Sequence, residues 1–146
     1  MRLTIVGGGG FRVPLVHRAL LAQGGPGAPV PCSELVLHDT DPARAAVVAA
    51  VLAAQADGVP HAPAVRVAGD LDEALRGADM VFCAMRPGGT AGRVRDERVP
   101  LAEGVLGQET VGAGGVLYGL RAVPVAVHVA ERVRALAPGA WVVNFT

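Results

Sequence analysis

The sequence has no lysine, only two cysteines, and just 3% aromatic residues. Each shortage excludes something. Two cysteines, Cys32 and Cys83, cannot make a disulfide framework, and no CxxC spacing points to zinc, so reduced thiols in a reducing compartment are expected. Thirteen basic residues, all arginine, balance thirteen acidic ones. That balance gives no electrostatic reason to expect nucleic acid or an anionic membrane as a partner. No basic stripe interleaved with aromatics appears either. Long apolar runs are missing: "MRLTIV" runs straight into glycines, and the alanine-rich "ARAAVVAAVLAAQA" is too short to span a bilayer. A cytoplasmic protein with no membrane segment is the expectation. The abundance of Ala, Gly and Arg reads as a bias of the source and carries no functional information.

What is present is alternation. A length of 146 residues suits one domain with a real core, residues 1–146, and no internal repeat is found. "LTIV" (Leu3–Val6) is a short β-branched run closed by four glycines. "VPLVHRALLA" follows with Val13, Val16 and Leu20 at helical spacing and Pro14 in the first turn. "QGGPGAPVPCS" is a loop by composition. "ELVLHD" is a second strand, and "DPARAAVVAAVLAAQA" a helix with an aspartate cap and a proline at its start. "AVRVAG" is a third strand, "DLDEALRGA" a short helix capped by Asp70, and "DMVFCAM" a fourth strand expected to be covered on both faces. From Arg86 to about Gly115 no period is visible, and a long functional or mobile loop is expected. "VLYGLRAVPVAVHVAERVRALA" is helical, with a kink or restart expected at Pro124. "AWVVNF" is the fifth strand of a buried sheet. Alternation of this kind predicts an α/β fold, a Rossmann-type doubly wound parallel sheet of order 3-2-1-4-5 in three αβα layers.

The chemistry-bearing residues sit at the carboxyl ends of these strands. Gly7 and Gly9 match the first two positions of GxGxxG, where bare backbone N–H groups and a helix N-terminus take a pyrophosphate. The third position is Arg12, so the motif is imperfect, and a plain structural turn is the alternative. Gly10 and Phe11 complete the turn. Asp39 closes the second strand, where a carboxylate accepts the ribose hydroxyls of NAD; its late position follows from the "GGPGAPVP" insertion. An acid there, with no arginine directly beside it, favours NAD over NADP, and Arg44, one turn into the helix, weakens that preference slightly. Arg86 directly follows the fourth strand; with Arg93 it suits a phosphate or carboxylate. Arg95, Asp96 and Arg98 read as a solvated, ion-paired loop. Cys83 and His38 make at most a pair of metal ligands with no third in evidence.

The stretches "IVGGGG", "LVLHDTD", "GADMVF", "MRPGG", "RDERVPL", "GVLGQET", "GAGG", "LRAVPV" and "PGAWVVNFT" together resemble the NAD-dependent family 4 glycoside hydrolases, of the 6-phospho-β-glucosidase and 6-phospho-α-glucosidase type. The likeness runs over nearly the whole chain, and its last six stretches are absent from generic dehydrogenases. The resemblance implies chemistry outside the usual two-carboxylate scheme. In that family NAD oxidises the C3 hydroxyl, the C2 proton is removed, the glycosidic bond is eliminated, water adds and the hydride returns, with a divalent metal, typically manganese, on the C2 and C3 oxygens. It implies a pyrophosphate turn at Gly7 and Gly9, a ribose acid at Asp39, and sugar or sugar-phosphate contacts from Arg86, Arg93 and Asn144. Glu109, in "GQET", falls in the family's loop on the nicotinamide side, with no role assigned. The substrate implied is a phosphorylated disaccharide or 6-phosphoglucoside, and the full-length enzyme is expected to be a homo-oligomer.

In the family "NFT" runs on into "NP" and then into the metal ligands and the catalytic base. His17, His38, His61 and His128 do not match those positions. The expectation is therefore the cofactor half of such an enzyme, with no catalytic and no metal-ligating residue of its own and no activity in isolation. Two rivals remain: a small self-sufficient NAD-dependent oxidoreductase, and a non-catalytic nucleotide-binding remnant.

Overall fold

Short, nearly continuous aliphatic runs, separated by segments of strong helix formers, produce a five-stranded, all-parallel sheet in the computed structural model, which describes residues 1–24, 27, 31–109 and 111–145. In chain order the elements are β1 (Arg2–Val6), α1 (Val13–Gln23), β2 (Glu34–His38), α2 (Pro42–Ala56), β3 (Ala64–Val67), α3 (Leu71–Leu75), β4 (Met80–Cys83), α4 (Gly89–Ala102), α5 (Gly112–Leu136) and β5 (Trp141–Asn144). The strand order is β3-β2-β1-β4-β5, the doubly wound arrangement expected from the alternation. Residues 25, 26 and 28–30 of the loop expected between α1 and β2 lie outside the described residues. The chain divides into two compact units, Met1–Met85 with Arg132–Thr146, and Arg86–Glu131.

The first unit holds the sheet. Successive residues of a strand point to opposite faces. Accordingly Leu3 and Ile5 of β1 join Leu35 and Leu37 of β2 on one face, packed with Val13 of α1 and with Val48 and Leu52 of α2. Burying each such side chain contributes roughly 1.5–3 kcal/mol. On the other face Val36 packs with Ala68 and with Ala74 of α3, and the buried Thr4 donates its hydroxyl to the Ala74 carbonyl at 2.7 Å. The helices start where their sequences say. Asp41 accepts from the Arg44 N–H at 3.1 Å, with Pro42 in the first turn. Asp70 accepts from the Glu73 N–H at 2.7 Å, and the Glu73 carboxylate reaches back to the Gly69 N–H at 2.7 Å. Each such cap contributes about 1 kcal/mol. Arg132 forks onto both oxygens of Asp72, at 2.7 and 2.5 Å.

Three expectations change. β5 is not buried: all four of its residues are exposed, Trp141 at 77%. It is the last strand in the sheet order, so its valines lie at an edge that the described residues do not cover. The stretch after Arg86 is not a long loop. It forms α4, whose charged face hides the helical period, because only Gly92, Asp96 and Pro100 of that helix are buried. The helix does not restart at Pro124: α5 continues through it. Proline removes only the bond to the Leu120 carbonyl, and Leu120 is 71% exposed, so water can satisfy that acceptor. α5 is also the one described helix long and apolar enough to cross a membrane by length and composition. It carries the ion-paired Arg121 near its middle, a costly residue in lipid.

Candidate functional site

The row His38–Val6–Cys83–Asn144 crosses four strands in register, and the chain leaves β1 there through the glycines. The Gly7 and Gly8 N–H groups both donate to the His38 carbonyl, at 2.9 and 2.8 Å, and Gly10 closes the turn onto the Gly7 carbonyl at 3.0 Å. Gly7 has φ +92°, and a Cβ there would lie 2.6 Å from the Ala84 carbonyl oxygen; only glycine fits on both counts. At Gly9 a Cβ would come within 2.8 Å of the Arg44 Cβ and 2.9 Å of Asp39 Oδ2. The Gly9 N–H donates to that same Oδ2 at 2.8 Å. Asp39 Oδ1 accepts from the Asp41 N–H at 2.9 Å. Two backbone donors thus fix the carboxylate while each oxygen keeps a lone pair for a hydroxyl donor. Arg44 donates to the Gly9 carbonyl at 3.2 Å, which makes it a clamp on the turn. Beyond Gly10 the N–H groups of Phe11 and Arg12, just before α1, donate to no protein acceptor among the described residues. Such a pair at a helix N-terminus suits an anion.

The second unit holds a separate charged cluster. Glu109 accepts from Arg86 at 2.5 Å and from Arg93 at 3.2 Å, and Arg93 also donates to Glu97 at 2.7 Å. The hydrogen bond to Glu97, and then the charge of Glu109, hold the Arg93 guanidinium more firmly protonated than usual. Arg86 and Arg93 are therefore brought together as the sequence suggests, but around carboxylates. An incoming anion meets a neutral cluster of two arginines and two glutamates. Exposed pairs of this kind contribute little, so an anion can compete for the guanidinium groups.

Asp96 corrects the solvated-loop reading. It is 5% exposed, with both oxygens gripped by Arg121 at 2.9 and 2.5 Å. Arg121 Nε donates to the Pro87 carbonyl at 2.7 Å, and its guanidinium occupies the space beside Gly88 and Gly92. The hydrogen bond from Arg121 outweighs desolvation and lowers the Asp96 carboxyl below its ordinary value. A depressed carboxylate contributes stability that is complete above the unfolded value of about 3.9 and is lost as pH falls through the lower folded value. We expect Asp96→Asn to reduce stability at neutral pH and to flatten its dependence on pH below about 4, read by denaturant unfolding across a pH series. Parallel acid limbs in the two proteins would remove Asp96 from this role.

Burial pushes both the Cys32 and the Cys83 thiols up, away from reactive thiolate chemistry. Among the described residues no three His, Cys, Asp or Glu side chains gather as a metal site.

The model of the family "Family 4 glycosyl hydrolase" matches residues 2–146. The chain belongs to the family 4 glycosyl hydrolases. A 6-phospho-β-glucosidase of Escherichia coli K12 is 51% identical over 77 residues, which are 53% of this chain and 17% of that protein. The structure of the Thermotoga maritima 6-phospho-β-glucosidase with manganese, NAD+ and glucose-6-phosphate has a TM-score of 0.91 at 32% identity, covering 100% of this chain and 35% of that one. That of a 6-phospho-α-glucosidase from gut microorganisms with NAD and Mn2+ has a TM-score of 0.89 at 30% identity, covering 99% and 32%. This family 4 chain thus spans about a third of the length of these structural relatives.

Within it, Gly7, Gly9, Gly10, Phe11, Asp39 and Arg44 gather at the turn after β1, and Asn144 ends the edge strand in register with Cys83. Arg86 and Arg93 meet Glu109 in the other unit. Two arrangements had escaped the sequence. The Arg121–Asp96 fork joins residues 25 apart, and no local pattern marks such a pair. The surroundings of Arg12 depend on Phe145 at the far end of the chain.

Proposed function

We propose that the turn at Gly7–Gly10 binds NAD through its backbone and Asp39, and that residues 1–146 serve as the NAD-binding domain of a 6-phosphoglucoside-cleaving enzyme. The observation that carries this reading is the Asp39 carboxylate, fixed by the Gly9 N–H beside a turn with no room for a Cβ. The residues fit the cofactor: open N–H groups at Phe11 and Arg12 for the pyrophosphate, and a pinned carboxylate for the ribose hydroxyls. Bound NAD would supply a hydride acceptor for a sugar hydroxyl. Asp39 orients the ribose, and the 2′-phosphate of NADP would meet its negative charge. Arg86, Arg93 and Asn144 are proposed to contact a phosphorylated disaccharide or 6-phosphoglucoside. For Arg86 and Arg93, support comes from their convergence on Glu109, which a sugar phosphate could replace.

Manganese, present in relatives, is a different matter. The described residues of this chain offer no three-ligand donor set, and no step through a metal is derived from them. Asp39→Ala should weaken NAD binding by roughly 1–3 kcal/mol, about 5- to 150-fold, the cost of leaving polar partners unpaired. Isothermal titration of the two proteins checks it, and equal affinities would sink the assignment.

A further inference from the structure

We infer that Arg12 is a phosphate-gripping residue of the dinucleotide site, an aromatic-clamped cation that contacts the pyrophosphate where α1 begins. The inference rests on the NAD reading of the turn and adds a residue that the glycine motif does not contain.

Arg12 stands where GxGxxG would have its third glycine. A side chain there does not obstruct the helix, because Arg12 is exposed while the neighbouring Val13, 1% exposed, and His17 face the interior. Its guanidinium lies 4.6 Å from the ring centre of Phe11 and 5.0 Å from that of Phe145. Phe145 stacks in turn on Phe82 of β4, centroids 6.0 Å apart and planes at 29°. The Phe145 N–H donates to the Cys83 carbonyl at 2.9 Å. The aromatic support of the cation is thus anchored in the sheet.

A guanidinium held against ring faces is attracted by their quadrupoles and keeps its planar edge of N–H donors for paired oxygens. Such clamping also lowers the ordering cost of gripping a ligand. Among the described residues Arg12 makes no ion pair with a carboxylate. Arg44, the other arginine at the turn, donates to the Gly9 carbonyl. Arg12 therefore carries two kinds of donor, its own open N–H at the start of α1 and its guanidinium. A diphosphate bridge offers acceptors for both.

The test uses the full chain as wild type, Arg12→Ala and Arg12→Lys, each checked for folding by circular dichroism. NAD and ADP are titrated by calorimetry at low and high salt, and adenosine is followed by ligand-observed NMR. The inference requires Arg12→Ala to weaken NAD and ADP alike, by about tenfold or more, and to leave adenosine unchanged. The difference should shrink at high salt, where the exposed charge is screened, and Arg12→Lys should recover part of it. Unchanged NAD and ADP affinities in Arg12→Ala would overturn it. So would an equal loss of adenosine, which would make Arg12 a support for the turn's shape. A wild type that binds NAD while Arg12→Ala binds it equally well defeats this inference alone. A wild type that binds neither NAD nor ADP defeats the NAD reading with it.

Discussion

The 146-residue chain, given NAD, manganese and a chromogenic 6-phosphoglucoside, should release no chromophore above background. The solved relatives that it matches from end to end are about three times as long, and the described residues hold no metal-ligand set. A positioned acid or base contributes roughly 10²–10⁴-fold to such a reaction, and a metal adds several kcal/mol of charge stabilisation. Absence of both would suppress turnover by many orders of magnitude even with the cofactor in place. The arginines proposed for the sugar phosphate begin in ion pairs with Glu97 and Glu109, which lowers the attraction they offer further. Hydrolysis by the purified chain that disappears in Asn144→Ala would show that this domain carries a catalytic centre of its own.

The second large effect concerns the turn itself. Gly7→Ala should cost roughly 2–5 kcal/mol of stability, combining a strained positive φ with a steric clash against backbone. The alanine Cβ would sit 2.6 Å from the Ala84 carbonyl oxygen and 2.8 Å from the Met85 nitrogen, and backbone cannot swing aside as a side-chain tip can. For a domain of this size that is a fall in Tm of roughly 4–20 °C. Relief by shifting the turn would pull the Gly7 and Gly8 N–H groups off the His38 carbonyl and drag Gly9 from Asp39. NAD affinity should fall with stability. A variant as stable as wild type, by thermal unfolding, would mean that the turn is slack and its glycine unnecessary.

The sheet was legible because its strands are short aliphatic runs whose alternate residues enter opposite faces, and because Asp41 and Asp70 mark their helices as caps. The cofactor turn was legible for a related reason: glycines after a first strand, and an acid after a second, are local signals. What escaped depended on distant partners. α4 was hidden because an amphipathic period needs an apolar stripe, and its buried positions are glycine, an aspartate and a proline. Asp96 looked like a surface charge until Arg121 came to it. β5 looked like a buried strand because its composition is apolar, whereas exposure is decided by its place at the end of the sheet order. Glu109 stood in a recognisable stretch, but only the fold shows that it holds Arg86 and Arg93 together.

The proposed role of this chain stands or falls with NAD binding at the glycine turn and Asp39. Calorimetric titration of the wild-type protein with NAD and, in parallel, with NADP decides it. Saturable one-site binding of NAD is expected, with NADP at least several-fold weaker because its 2′-phosphate meets the Asp39 carboxylate. No saturable heat with NAD, or NADP bound as tightly as NAD, would contradict it.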